Sequence, residues 1–360
     1  MHFGIPIEED RLVRLLRPGP DISTVVTADV YGQGGADALV GRALEGLPRD
    51  AYTLFGTIGH DFYEGTRDGA KGFPRFTDPR LRGPEGYASY LRTACERSLE
   101  RCGVDRFDVL MLHNPDRVGY SSDAVWSAMA GLREAGLADR LGVAPGPANG
   151  FTLDVINCLE RFGDLIDWAM IILNPFEPWP GRLVLPACER HDVKVLARVV
   201  DFGGVFHGDV PDEADLPQQD HRAFRPAGWV AAARRQLAQV LPIAGRHGLT
   251  PLQLACQWTL AQPQVAAVVP TLIQEPGPAA RPVEQKRAEL AAVPREIVLS
   301  AEEIAEIDRV GDNRGCMALK GGTPGHEGEE RADSWPVTPD LEQVAARWGI
   351  VPERDLVLIG

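Results

Sequence analysis

Residues 107–116, FDVLMLHNPD, decide how this chain reads. Phe107–Leu112 is a run short enough for a strand and too apolar for an exposed one, and His113 closes it just before the turn formers Asn114, Pro115 and Asp116. A strand that is apolar along its length is buried on both faces, as in a parallel sheet covered by helices. Outward from this run the pattern repeats: eight β-branched or apolar runs lie at about residues 2–6, 22–26, 52–57, 107–112, 140–144, 167–173, 193–199 and 265–270. Between and after them come amphipathic stretches at Glu8–Leu16, Ala36–Leu47, Gly86–Cys102, Ser122–Ala135, Thr152–Phe162, Leu183–Arg190, Trp229–His247 and Pro251–Ala261. Eight such units in roughly 270 residues predict a closed (β/α)8 TIM barrel. An open dinucleotide-binding sheet would place GxGxxG after its first strand. Pro6, Ile7, Glu8 and Glu9 stand there instead, and the glycines within 32–35 lack that spacing.

Composition narrows the partners. The 360 residues carry 37 Lys and Arg against 51 Asp and Glu, a formal net charge of -14, which argues against nucleic-acid backbone binding. Six cysteines without a CxxC pair predict reduced thiols rather than a disulfide framework. The start, MHFGIPIEEDRLVRLLRPG, is charged where a secretory signal would be apolar, and no long apolar run reads as a membrane span, so a cytoplasmic protein without membrane contact is expected. The histidines show neither HExxH nor a short His-Cys cluster, so no metal is expected. Ser300 followed by Glu303 predicts a capping box. Residues 311–360 are expected to pack as an extension on a 1–310 barrel, because roughly fifty residues make a marginal core alone. Nothing in the sequence sets the oligomeric state.

A barrel carries its chemistry at the C-terminal ends of its strands, so the long connections 60–84 and 201–226 are candidate covers for a small-molecule substrate. His113 ends its strand there and is a candidate acid, base or carbonyl-orienting donor. His60 and Asp61 open the first long loop, as a candidate pair for substrate contact and charge or tautomer control. Asn174, Glu177 and Trp179 follow the sixth run and are candidate substrate contacts. Arg198, near the end of the seventh, needs a partner or an anion, with Asp201 as the structural alternative.

The segment TADVYGQGGADALVGRALEG resembles the aldo-keto reductases, in which a tyrosine follows the second strand, and FDVLMLHNPD resembles their fourth strand with its terminal histidine. GLREAGLADRLGVAP, IDWAMIILNP, ACERHDVKVLARV and TPLQLACQWTLAQPQVAAVVP continue the likeness in order, over about residues 20–310. The resemblance implies a barrel that reduces aldehydes, ketones or sugar-like carbonyls with NADP(H) or NAD(H). It implies Tyr31 as proton donor and His113 as the group orienting the carbonyl. Val26 stands at the family's aspartate and Ile58 at its lysine, leaving Tyr31 without that ammonium; an unperturbed phenol, titrating near pH 10, is a poor acid-base group at neutrality. Ala144-Pro145 and Met170 replace the Ser-Asn pair and the glutamine of the nicotinamide site. The resemblance places Gly203 and Gly204 near the cofactor diphosphate, and Arg281, Lys286 and Arg287 are the cations available to its phosphates.

Three functions follow from this mixture. The first is a divergent reductase using Tyr31 and His113. The second is a non-redox barrel enzyme, of lyase, dehydratase, isomerase or hydrolase type, whose pocket lies near Tyr31, His113 and His60. The third is a noncatalytic binding or scaffolding protein. Lys320, in the tail, is a candidate replacement for the missing charge.

Overall fold

The computed structural model describes residues 3–68, 72–146, 151–217, 220–225, 227–313 and 337–356. Seven strands, β1 (Thr24–Ala28), β2 (Thr53–Ile58), β3 (Phe107–His113), β4 (Ala138–Ala144), β5 (Trp168–Ile172), β6 (Lys194–Arg198) and β7 (Val265–Val269), form one sheet in sequence order. Every neighbouring pair is parallel, and the helices between them make the fold a (β/α)8-type barrel. Alternate residues serve two cores. Val26, Phe55, Val109, Met111, Trp168, Met170, Leu196 and Val269 meet inside the barrel, whereas Val25, Leu54, Leu110, Leu112, Val143 and Val195 pack outward under the helices.

The expected strand at 2–6 is absent from the described residues of that segment. Gly4 takes a left-handed φ of 61° and Pro6 offers no N–H, so this segment makes isolated contacts instead: Ile5 N–H donates to Gln274 O at 2.9 Å and Gly4 N–H to Asp220 Oδ2 at 2.7 Å. The N-terminal helix Glu9–Leu16 bridges the helices that follow β7 and β1. Arg11 pairs with Glu284 at 2.6 Å, Arg287 donates to Leu15 O at 2.8 Å and Arg17 O at 2.7 Å, and Arg42 pairs with Glu9 and Asp10.

Ser300 and Glu303 form their capping box at the start of the helix Ala301–Val310. The tail helix Pro339–Arg347 rests on Thr152–Phe162, where Arg347 reaches Glu160 at 2.5 Å and the Trp348 indole donates to Glu160 at 2.9 Å. No helix among the described residues is long and apolar enough to cross a membrane.

Candidate active site at the strand ends

A cavity of about 230 Å³ opens where β1 to β6 end. Val26, Thr27 and Ala28 come from β1, Thr57 from β2, His113 from β3, Ala144 from β4, Met170 from β5 and Arg198 from β6. Tyr31, just after β1, stands at its mouth and is 60% exposed. Leu12 and Leu16, one helical turn apart on the N-terminal helix, complete an apolar wall with Leu39 and Val40. That wall was not apparent as part of a site in the sequence, although the i, i+4 leucines already mark one apolar face.

The Tyr31 and His113 rings meet edge to face at 5.7 Å. His60 lies behind, 5.1 Å from His113 between ring centres. Its Nδ1 donates to Phe73 O at 3.2 Å and its Nε2 accepts from the Asn114 amide at 3.2 Å, a pairing that suits neutral imidazole. Burial, reinforced by Arg75, lowers its pKa to about 3. Burial first, then His60, Arg198 and Arg75, holds His113 well below the usual imidazole range. Both rings are neutral near pH 7, so His113 is suited to hydrogen bonding rather than to carrying charge. Asn114 is the contact that sequence reading missed here, despite its place beside His113.

Arg198 is the cavity's guanidinium. Its Nη2 donates to Pro145 O at 2.8 Å, its buried Nε has no hydrogen-bond partner, and no carboxylate among the described residues forms an ion pair with it. Burial lowers its pKa, partly offset by the nearby Tyr31 and Tyr120 phenols. The next residue, Val199, has φ 59°, a left-handed conformation that a β-branched side chain rarely adopts and that costs about 1–3 kcal/mol. The lost lysine position is different in kind: Ile58 is fully buried and pairs in register with Leu112.

The other candidate substrate contacts have structural partners. Asp61 pairs with Arg82 at 2.5 Å and accepts from Tyr63 and Glu64 N–H, tying the long loop to itself. Asn174 accepts from the Phe176 and Glu177 backbone, and Glu177 pairs with Arg225 at 2.8 Å. The Trp179 indole donates to Asp355 O at 2.6 Å, and its backbone exchanges hydrogen bonds with Asn313. Lys320, with Arg314, Cys316 and Met317, lies outside the described residues. Among the described residues, no three His, Cys, Asp or Glu side chains are grouped to hold a metal.

The expected phosphate residues also have internal partners. Lys286 is wholly buried, with its ammonium 2.8 Å from Asp209 and 2.6 Å from Ile273 O. Arg281 pairs with Glu289 and donates to His207 O at 2.8 Å. Arg287 holds the N-terminal helix, as described above. Gly203 and Gly204 take left-handed φ values of 63° and 93°, and a Cβ on Gly204 would stand 3.0 Å from Glu275 Oε1 and 3.2 Å from Arg222 Nη1. Among these candidates Lys286 and Arg281 are held by the chain's own acids and Arg287 by two backbone carbonyls, a poor fit for a dinucleotide phosphate.

A parallel barrel with a tyrosine, a histidine and an arginine converging at its strand ends belongs to the class that binds small molecules at that rim. The aldo/keto reductase family model matches residues 20–312, and the chain belongs to that family. Probable aldo-keto reductase 1 of Glycine max is 25% identical over 250 residues, covering 68% of this chain and 65% of the relative, so the match spans just under two thirds of that protein. The glycerol dehydrogenase of Gluconobacter oxydans superposes with a TM-score of 0.62 at 20% identity, over 88% of this chain and 93% of the other. An aldo/keto reductase of Klebsiella pneumoniae, solved with NADP and acetate, gives 0.57 at 23% identity, over 84% of this chain and 85% of the other.

Proposed function

We propose that the rim cavity is the site of a non-redox enzyme acting on a small carbonyl acid. The observation that carries this reading is Arg198, a guanidinium that no carboxylate among the described residues pairs with, in a largely apolar cavity. A planar donor fork in such surroundings matches a carboxylate. The aliphatic wall of Leu12, Leu16, Leu39 and Val40 suits a short alkyl tail, and the small volume favours a molecule such as a 2-oxo acid.

With the carboxylate on Arg198, Tyr31 and His113, which line the same cavity with rings 5.7 Å apart, are the groups we assign to the carbonyl oxygen. The Tyr31 hydroxyl donates to that oxygen, and the neutral His113 imidazole orients it. Polarising the carbonyl weakens the adjacent C–H bond. Its proton passes to water at the open mouth while the C–H electron pair forms the enol double bond, the oxygen takes the Tyr31 proton, and the Tyr31 phenolate recovers a proton from the protonated water. Enolisation of this kind underlies isomerase, dehydratase and lyase reactions. The reductase reading suggested by the family uses the same Tyr31 and His113 and requires a dinucleotide, for which Lys286 and Arg281 are already paired with acids and Arg287 ties the N-terminal helix.

Calorimetry with 2-oxobutyrate and 2-oxoisovalerate tests the binding. Saturable binding is expected, weakened about 10- to 100-fold by Arg198→Met and less by Arg198→Lys. Proton NMR in D2O tests the chemistry: protein-accelerated loss of the α-proton signal is expected, and Tyr31→Phe should abolish the acceleration. Equal binding of neutral ketones, or binding unaffected by Arg198→Met, overturns the reading.

A further inference from the structure

We infer that this chain works without a nicotinamide dinucleotide, because the end of β6 and β7 where its phosphates would lie is already filled by the protein's own acids. Asp201, fully buried, accepts from Gly204 N–H at 2.8 Å and Thr271 N–H at 2.6 Å. Backbone N–H groups beside a glycine loop are the kind of donor that a phosphate uses, and here both are taken by Asp201. Glu275, also buried, stands over Gly204 and takes both terminal nitrogens of Arg222, at 2.5 and 2.9 Å. Asp220 takes the rest of that guanidinium and the N–H of Gly4, so the N-terminal segment is fastened over the same end. Asp209 and Glu289 hold Lys286 and Arg281.

Among these described residues Arg222, Lys286 and Arg281 meet five acids, and Arg225 beside Gly203 is paired with Glu177, so the acids outnumber the cations. A diphosphate entering here would add negative charge to that excess. It would also have to strip buried partners from carboxylates that would then remain unpaired, the situation in which removing an ion-pair partner is most costly. Nothing comparable opposes an anion at Arg198. The inference shares its ground with the non-redox part of the proposed function, whereas carboxylate binding at Arg198 does not depend on it.

The native full-length chain should be titrated with NADPH and NADH, following intrinsic fluorescence and heat. Heat-denatured protein should also be checked by chromatography for released dinucleotide. No saturable signal up to about 1 mM, no released dinucleotide and an unmoved Tm are expected. Arg281→Ala should lower Tm while leaving the dinucleotide signal at baseline. Saturable binding in the micromolar range, or dinucleotide carried through purification, overturns the inference; loss of that binding in Arg281→Ala would place it at this end. Binding of 2-oxo acids by the same sample shows that the protein is folded and reports on carboxylate binding at Arg198 independently.

Discussion

Arg222 and Arg198 are guanidiniums at the strand ends of one barrel, and their surroundings differ completely. Arg222 bonds two carboxylates and the Gly203 carbonyl, whereas among the described residues Arg198 bonds only the Pro145 carbonyl. Around Arg222 the cations Arg222 and Lys286 are matched by acids within the chain; around Arg198 the neighbours are aliphatic side chains, the Tyr31 and Tyr120 phenols and the neutral ring of His113. Packed charge that is satisfied internally serves the fold, and charge left facing a cavity is available to a ligand.

The sharpest way to break this contrast is to remove one cation from each region. Lys286→Met leaves Asp209 buried beside an apolar group and should cost about 3–5 kcal/mol of stability in denaturant unfolding. Arg198→Met removes no ion pair among the described residues, so its stability should stay within about 1 kcal/mol of the native chain while its ligand binding fails. Comparable losses in the two variants would show that Arg198 is as structural as Lys286.

The two histidines behind the cavity sharpen the contrast through pH. An unfolded imidazole titrates near 6.5, His60 in the fold titrates at about 3 and His113 is also strongly lowered. The folded state therefore binds fewer protons than the unfolded state between these values. Their stabilising contribution is complete above the unfolded pKa and is lost as pH falls from about 6.5 toward 3. His60→Gln should remove up to about 1.4 kcal/mol per pH unit of that slope, read from unfolding between pH 6 and 4. A slope unchanged by the substitution would mean that His60 is not held neutral.

The smallest effect belongs to Arg287. Arg287→Met loses two hydrogen bonds to the end of the N-terminal helix and should cost about 1 kcal/mol, with faster amide exchange in Glu9–Leu16. Unchanged exchange there would remove Arg287 from the set of internal ties.

Much of this architecture was legible because it is local. The apolar runs around Phe107–Leu112 and Val193–Val199 became β3 and β6, and the helix Thr152–Phe162 has the bounds that its periodicity predicts. Tyr31, His113 and Arg198 could be singled out because each follows or ends a strand, and strand ends share one rim. The run at 2–6 misled because composition alone does not show that Gly4 turns the chain and that a strand partner is missing.

By itself, then, the sequence determined the alternation of strands and helices, the family, and the three side chains at the rim, since each depends on neighbours a few residues away. Tertiary structure decided which charges are spent. Arg287 meets Leu15 across 272 positions and Arg222 meets Glu275 across 53, and no spacing pattern encodes such pairings. A cation's role is fixed by whether an acid reaches it when the chain packs, and only the packed barrel shows that acids reach Lys286, Arg281 and Arg222 while none pairs with Arg198 among the described residues.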